Sequence, residues 1–433
     1  MEVRDPIHGN IDIDPAERLV IDHPFFQRLR NIKATGFADL AYPGSTHSRY
    51  AHSIGTMALA GRAFDSVFRD FQFKHDHSRV LFRRVVRLAA LLHDVGHAPF
   101  SHVTEFAMPM LAELHVPCMV DRPDRRATHE DYTVKIITDS SLTPLLHHIG
   151  GEELPGLVAA LVDVDLPCPA GAFVDDGVDY HPVLAQLVSS ELDVDRMDYL
   201  RRDSYNSGVG YGHFDADWLI VNLTFHVTEE GRAHLALDPR ALYAFEDFLI
   251  ARYHMFLQVY FHHKSVIYEE MLRHYFQECP GEYVIPADIE LYLSVDDFDL
   301  FSALRTSPNT WARRIVTRDA WKLLVERHEG GVKSEGLEQD RQALESGGIP
   351  IISASSRGDL SKYTKPGAKR RRGPRIFARR KHPGGSPFHW PEARPLDECT
   401  ELFTHYEAER QIRRIYVQRE DLARARSLLG LQV

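Results

Sequence analysis

A mainly α fold with a small α+β lobe at the C-terminal end is the class predicted for this 433-residue chain. Three observations predict it. Apolar residues recur at three- and four-residue spacings through the first three-quarters of the sequence, a single short alternating segment interrupts them, and the composition changes near residue 330. The length suits one large domain with a smaller one, or two to three ordinary domains. A content of 44% hydrophobic and 26% charged residues is an ordinary globular balance.

The elements follow in chain order. PFFQRLRNI (24–32) reads as a helix that ends before Gly36, and RYAHSIGTMALA (49–60) opens an amphipathic helix. VLFRRVVRLAALLHDV (80–95) is a helix stopped by Gly96 and Pro99, and HEDYTVKIIT (129–138) and SSELDVDRMDYLRRDSY (189–205) are two more. FHVTEEGRAHLAL (225–237) alternates around EEG and reads as a short β-hairpin. The stretch 242–276 carries helical spacing throughout. From Glu329 to about Pro395 the chain is rich in Gly, Ser, Pro and Arg, with PIIS (350–353) as an isolated strand. RRIYVQREDLARARSLLG (413–430) reads as a strand followed by a helix. The expected organisation is a helical body over 1–328, a flexible and partly basic linker over 329–395, and a C-terminal α+β segment over 396–433.

A net charge of −11 argues against a surface that grips nucleic acid as a whole. The basic run KPGAKRRRGPRIFARRK (365–381) is read as a solvated loop in preference to the alternative, a clamp for phosphates or single-stranded nucleic acid, because only Tyr363 and Phe377 interleave it. Cys118, Cys168, Cys279 and Cys399 show no CxxC spacing and read as reduced thiols. The start MEVRDPIHGN lacks a secretory pattern and no apolar run is long enough to cross a bilayer, so a cytoplasmic location without membrane contact is expected.

Chemistry concentrates in LLHDVGHAPFSH (91–102). His93 and Asp94 fall where a helix ends, so both side chains can reach one ion from different directions. His97 follows one turn later, and His102 precedes Glu105 by three residues, a pairing in which a carboxylate can orient an imidazole. Arg49 and His52 share a face, and Asp195, Tyr199, Arg202 and Asp203 form a polar stripe at spacings of four, seven and eight. Taken alone, a His-Asp pair is also a helix cap and a polar stripe is also a solvated face. Imidazole with carboxylate and no thiolate suits Fe, Mn, Zn, Co or Ni.

The order His52, His93-Asp94, Asp195 resembles the H…HD…D pattern of the HD superfamily of metal-dependent phosphohydrolases, which makes the helical body an HD-domain core. The flanking segments DPIHG (5–9), PFFQRLRNIK (24–33), PGSTHSRYAHSIG (43–55), HDVGHAPFSH (93–102), THE (128–130) and LDVDRMDYLRRD (192–203) stand in family order. Together they are similar to the deoxynucleoside triphosphate triphosphohydrolases, both the bacterial dGTPase-like proteins and the vertebrate SAM-and-HD-domain enzyme, over roughly residues 1–275.

The resemblance implies His52, His93, Asp94 and Asp195 as metal ligands, and His102 with Glu105 and His129 as the acid/base group. It implies Arg49, His97 and Arg196 on the phosphates, Tyr199 beneath the sugar, Asp203 on the 3′-hydroxyl, and Arg252, His263 and Lys264 on the distal phosphates. The implied reaction releases a deoxynucleoside and inorganic triphosphate, with Mg²⁺ on the substrate phosphates. Asp22, Gln27 and Arg30 match residues that read a guanine-nucleotide effector, which implies a homo-oligomer, a dimer or tetramer. The pattern departs at Ala34 and Thr35, where the vertebrate enzyme has a Gln-Leu pair that helps seat the sugar. That departure raises a nucleotidase acting on monophosphates or ribonucleotides as an alternative. A non-catalytic nucleotide sensor or nucleic-acid-binding protein is a third reading.

Overall fold

In the computed structural model, residues 1–116, 124–330, 335–358, 376–379, 393–402 and 410–431 are described. The fold is mainly α with small sheets. At its centre lies the helix Arg49–Val67, packed against Asp76–Leu92 and Val194–Ser207. It is less amphipathic than its sequence suggests: Met57, Leu59, Ala60, Ala63 and Phe64 are all wholly buried, because neighbours cover it on several sides. Gly55 allows the closest of these approaches, since a Cβ there would collide with the side chains of Asp198 and Arg202.

The helix Asp76–Leu92 stops at Leu92, with His93 as its cap, so the HDVGH segment leaves helical geometry before its side chains diverge. Gly96 then packs onto the helix His129–Thr138, where a Cβ would strike the His129 carbonyl oxygen. The helix Val194–Ser207 begins later than the apolar pattern, at the Asp193 cap, whose carboxylate accepts the Arg196 N–H at 2.8 Å. It ends at Gly208, in the left-handed region with φ 74°.

The periodic stretch 242–276 is broken into Leu242–Met255, a π-turn over Phe256–Tyr260, and His263–Glu278. The break is held from a distance. Arg414 donates to the carbonyl of Phe261 at 2.7 Å, and the Tyr416 hydroxyl donates to that of His263 at 3.0 Å.

Both donors belong to a three-stranded antiparallel sheet, ordered Lys322–Gly330, Arg410–Val417, Ile351–Gly358. The strand anticipated as isolated at 350–353 is therefore longer and paired, and the lobe anticipated from residue 396 draws on residues from 322 onward. The stretch anticipated as linker holds the helix Glu335–Ser346 as well as that strand, because Leu344, Ile349, Ile415, Val417 and Ala425 close a small core between them. The predicted hairpin is present as Leu223–Val227 paired with Ala233–Leu237, and Phe377–Ala378 adds in parallel beside it. Of the basic run, only 376–379 is described; the rest lies outside the described residues, as does Cys118. Cys168, Cys279 and Cys399 are free thiols, and no described helix is long and apolar enough to cross a membrane.

Candidate metal centre and active-site cavity

The helix ends and turns above bring two histidines and two aspartates to one point. His52 Nε2 lies 3.0 Å from Asp195 Oδ1 and 3.4 Å from Asp94 Oδ2. His93 Nε2 lies 3.4 Å from both Asp94 Oδ1 and Asp195 Oδ1. Each imidazole is oriented from behind. His52 Nδ1 donates to Asp198 at 2.7 Å and His93 Nδ1 to the Ala90 carbonyl at 2.8 Å, which leaves both Nε2 atoms to present lone pairs to the same point.

The residues fit a transition-metal ion by a direct test: His93 Nε2 is buried and has no hydrogen-bond partner among the described residues, although two carboxylates converge on it. The electrostatics agree. Burial lowers the pKa of His52, but hydrogen bonds to Asp195 and Asp198 and the Asp94 charge outweigh it and push it up to about 10. Burial also opposes ionisation of Asp94, yet Arg49 and His93 hold its carboxyl well below the usual range. Buried imidazoles set among ionised carboxylates are an environment that suits a cation.

A second cluster adjoins it. His97 stacks on His129 with ring centroids 3.9 Å apart, and Glu105 accepts from His102 Nδ1 at 3.1 Å and from His129 Nδ1. His97 Nε2 stands 3.2 Å from Asp94 Oδ1. The His102 pKa is lowered, first by its loss of bulk solvent within the cavity and then by the charges of His129 and Arg49, with Glu105 opposing. Both clusters open into one cavity of about 690 Å³.

The other anticipated residues divide into four groups. Tyr199 and Asp203 line the cavity, the latter held by His47 at 2.7 Å and Tyr260 at 2.6 Å. Arg49 and Arg196 also line it, but their guanidinium groups are engaged: Arg49 with Asp94 and, at 2.7 Å, the Ser101 hydroxyl; Arg196 with Asp193 and the Ser190 carbonyl. Arg252, His263 and Lys264 do not reach the lining; Arg252 is buried 3.4 Å from Glu191, and Lys264 is exposed at the start of its helix. Arg202 is likewise turned away from the polar stripe, into Asp198 and Asp5. Gln27 and Arg30 meet at 2.8 Å, with the Arg30 guanidinium 3.5 Å above the Tyr50 ring, while Asp22 pairs with Arg18 on the surface.

The support behind His52 escaped sequence reasoning. His8 Nε2 donates to Asp198 at 2.6 Å, and Asp5 accepts from the backbone N–H groups of Ile7 and His8 and from Arg202. The signal was present as DPIHG and as the i, i+4 pair Asp198 and Arg202, but neither says what it touches.

Also unforeseen is the acidic far wall, where Val266, Glu269, Glu270 and Arg273 present one helical face to the cavity. Burial and the neighbouring Glu270 push the Glu269 pKa up to about 7, against the opposing charge of Arg273. A raised carboxylate pKa means that the folded state binds the proton more tightly than the unfolded state, so stability falls as pH rises from the ordinary value toward 7. Glu269→Gln is therefore expected to match the parent at pH 4.5 and to exceed it by about 1–2 kcal/mol at pH 8, after allowance for cavity water. Urea unfolding at the two pH values checks this; a variant less stable than the parent at pH 8 refutes it.

A mainly α core that holds paired histidines and aspartates beneath an open cavity defines a histidine/aspartate metal-centre protein. The chain belongs to the HD-domain family, whose HD domain matches residues 49–203 and whose HD associated region matches 214–348. An uncharacterized protein of Methanocaldococcus jannaschii is 30% identical over 329 residues, covering 75% of this chain and 59% of its own length. The deoxynucleoside triphosphate triphosphohydrolase SAMHD1 of Homo sapiens is 30% identical over 223 residues, covering 48% of this chain and 33% of its own. The chain thus spans less than two thirds of either relative. Among solved structures, a hypothetical protein from Aquifex aeolicus is similar with a TM-score of 0.75 and 26% identity, over 99% of both chains.

Proposed function

We propose that the protein is an HD-superfamily metal-dependent phosphohydrolase that cleaves deoxynucleoside triphosphates to a deoxynucleoside and inorganic triphosphate. The observation that carries the reading is the convergence of His52, His93, Asp94 and Asp195 beside the His102–Glu105–His129 cluster in one cavity. The similarity to SAMHD1, a protein named for this activity, supports the substrate.

His52, His93, Asp94 and Asp195 would hold an Fe, Mn, Zn, Co or Ni ion, which when bound supplies Lewis acidity and a water of lowered pKa, with Mg²⁺ accompanying the substrate phosphates. Arg49 fixes Asp94 for this role, and Asp198 fixes His52. Glu105 holds the Nδ1 protons of His102 and His129, so the Nε2 atoms are the positions that take or give a proton at the leaving 5′-oxygen. Tyr199 and Asp203 would face the sugar, and His97 and Arg196 the phosphates. The proposal includes a homo-oligomer with a guanine-nucleotide effector read by Asp22, Gln27 and Arg30, and a cytoplasmic location.

A specific observation favours a second reading, hydrolysis of monophosphates. Arg252, His263 and Lys264, the groups assigned to distal phosphates, stand off the cavity wall, and Ala34 offers no side-chain hydrogen bond to a sugar. One experiment separates the two. The full chain is loaded with each metal in turn and given deoxynucleoside and ribonucleoside tri- and monophosphates, with and without GTP. Inorganic triphosphate as the product is the expected result. Orthophosphate from monophosphates alone establishes the second reading, and no turnover with any metal refutes both.

A further inference from the structure

Segments far apart in sequence converge on Asp203, one turn beyond Tyr199 on the helix Val194–Ser207. The loop before the helix Arg49–Val67 brings His47, and the π-turn Phe256–Tyr260 brings Tyr260. The loop lies tight against the end of Val194–Ser207, where a Cβ on Gly44 would strike the Asn206 carbonyl oxygen. It is also pinned along its backbone. The Ala34 N–H donates to the His47 carbonyl at 3.1 Å, and the Arg49 N–H to that of Ile32 at 2.9 Å. The place of His47 is thus set by contacts that leave its ring free for another use.

That ring has one polar contact. Its Nε2 stands 2.7 Å from Asp203 Oδ1, and its Nδ1 is buried with no hydrogen-bond partner among the described residues. An ionised carboxylate only accepts, so Nε2 is the donor. The Tyr260 hydroxyl donates to Asp203 Oδ2 at 2.6 Å, and burial with the Asp203 charge keeps this phenol protonated, its pKa well above the ordinary value. Both oxygens are therefore fixed, in a carboxylate that is 4% exposed and still lines the main cavity. Each oxygen has a lone pair left over. On a buried and oriented carboxylate, such a lone pair favours a neutral donor and opposes an anion.

We propose that His47 is a positioning residue that holds the Asp203 carboxylate for the 3′-hydroxyl of a bound nucleotide. The protein thereby accepts free nucleotides and rejects one whose 3′-oxygen is esterified, as at the 5′ end of a nucleic-acid strand. This inference rests on the reading of Asp203 as a group that faces the sugar. Ala34 gives the sugar no side-chain hydrogen bond, so the 3′-oxygen depends on this carboxylate. His47 does not line the cavity, and its effect on a ligand passes through Asp203. Without the imidazole, Oδ1 loses its donor and the carboxylate is free to turn about its bond to Tyr260. The acceptor remains in the cavity but is no longer preorganised. A phosphate on the 3′-oxygen removes the donor and sets a second negative charge against Asp203, where burial limits screening.

The test uses ligands that neither reading of the reaction cleaves, so its outcome is separate from that of the hydrolase reading. The bridging 5′-oxygen of deoxyadenosine monophosphate is replaced by a methylene group. This phosphonate is titrated by calorimetry into the Mn²⁺-loaded full chain, followed by its 2′,3′-dideoxy and 3′-phosphorylated counterparts. The parent is expected to bind the 3′-hydroxyl form about 10-fold or more tighter than the dideoxy form, and the 3′-phosphate form no better than the dideoxy form. In His47→Ala the first ratio should fall to about 3-fold or less, because the 3′-hydroxyl form weakens while the dideoxy form stays within about 2-fold of the parent. His47→Gln, whose amide N–H can reach the same Asp203 oxygen, should restore the ratio to above about 5-fold. Two ligands compared on one protein cancel any general loss of folded chains. Equal weakening of both forms in His47→Ala marks a purely structural residue and overturns the proposal, as does a parental ratio in that variant. Equal or absent binding of the two forms by the parent overturns it without any variant, and so does a 3′-phosphate form that binds as tightly as the 3′-hydroxyl form. A parent that discriminates in this way but turns over no nucleotide leaves His47 its role and overturns the hydrolase reading alone.

Discussion

His93→Ala is expected to abolish metal retention and to lower hydrolysis by at least roughly 10³-fold while leaving the fold intact. The separation follows from what each nitrogen of this residue does. Its Nδ1 makes one hydrogen bond, to the Ala90 carbonyl at the C-terminal end of a helix, and its Nε2 makes none among the described residues. The imidazole thus contributes little to stability, and its loss should cost about 1 kcal/mol or less. The remaining carboxylates of Asp94 and Asp195 would then be joined by one imidazole instead of two. His129→Ala supplies the complementary result, since it removes a group held by Glu105 and leaves the metal quartet whole: turnover falls and metal stays. Metal content after dialysis, turnover and thermal unfolding, measured on both variants, check the pair of outcomes. A metal-free His93→Ala protein with parental turnover would falsify the assignment of the centre.

These residues stand close together for reasons that local sequence carries well. The helix 129–138 has the bounds that its periodicity gives, and the stop at Gly96 and Pro99 releases His93 and Asp94 from helical divergence where the pattern implies. Facing is harder to read. Asp195, Tyr199 and Asp203 share a face at spacings of four, and Arg202 at spacing seven seemed to join them. A partner 197 residues away in sequence, Asp5, and the neighbouring Asp198 instead draw its guanidinium inward. The same limit explains the stretch 242–276. Its helical spacing continues through Phe261, but Arg414 and Tyr416 reach across from a sheet whose strands are far apart in sequence and secure the broken backbone there. It also explains Arg252, His263 and Lys264: a residue type suited to phosphate can be found by resemblance, whereas its approach to the cavity depends on where that break falls. Nonlocal pairing, invisible to periodicity, decides each of these cases.

Asp198→Ala is expected to be the most damaging single change away from the metal itself, destabilising the protein by about 3–5 kcal/mol. Asp198 is completely buried and accepts four hydrogen bonds: from His8 at 2.6 Å, from His52 at 2.7 Å, and from the Nε and Nη2 atoms of Arg202 at 2.8 and 2.9 Å. Burial opposes its ionisation, but the Arg202 charge and these hydrogen bonds hold its carboxyl well below the usual range. Alanine leaves the Arg202 guanidinium, whose side chain is only 1% exposed, with Asp5 as its remaining carboxylate partner. Asp198→Asn separates charge from volume: it fills the site, but its amide N–H groups face donors from Arg202 and the two histidines, so it should recover little of the loss. The metal centre registers the same change, because the His52 ring then loses the bond that fixes its Nδ1 proton, and metal affinity should fall about 10- to 100-fold. Denaturant unfolding and metal titration of Asp198→Ala and Asp198→Asn test both consequences. A loss of stability below about 1 kcal/mol in the alanine variant, or parental metal affinity in either one, is incompatible with a carboxylate that joins the Asp5–His8 turn, Arg202 and His52 into one support for the centre.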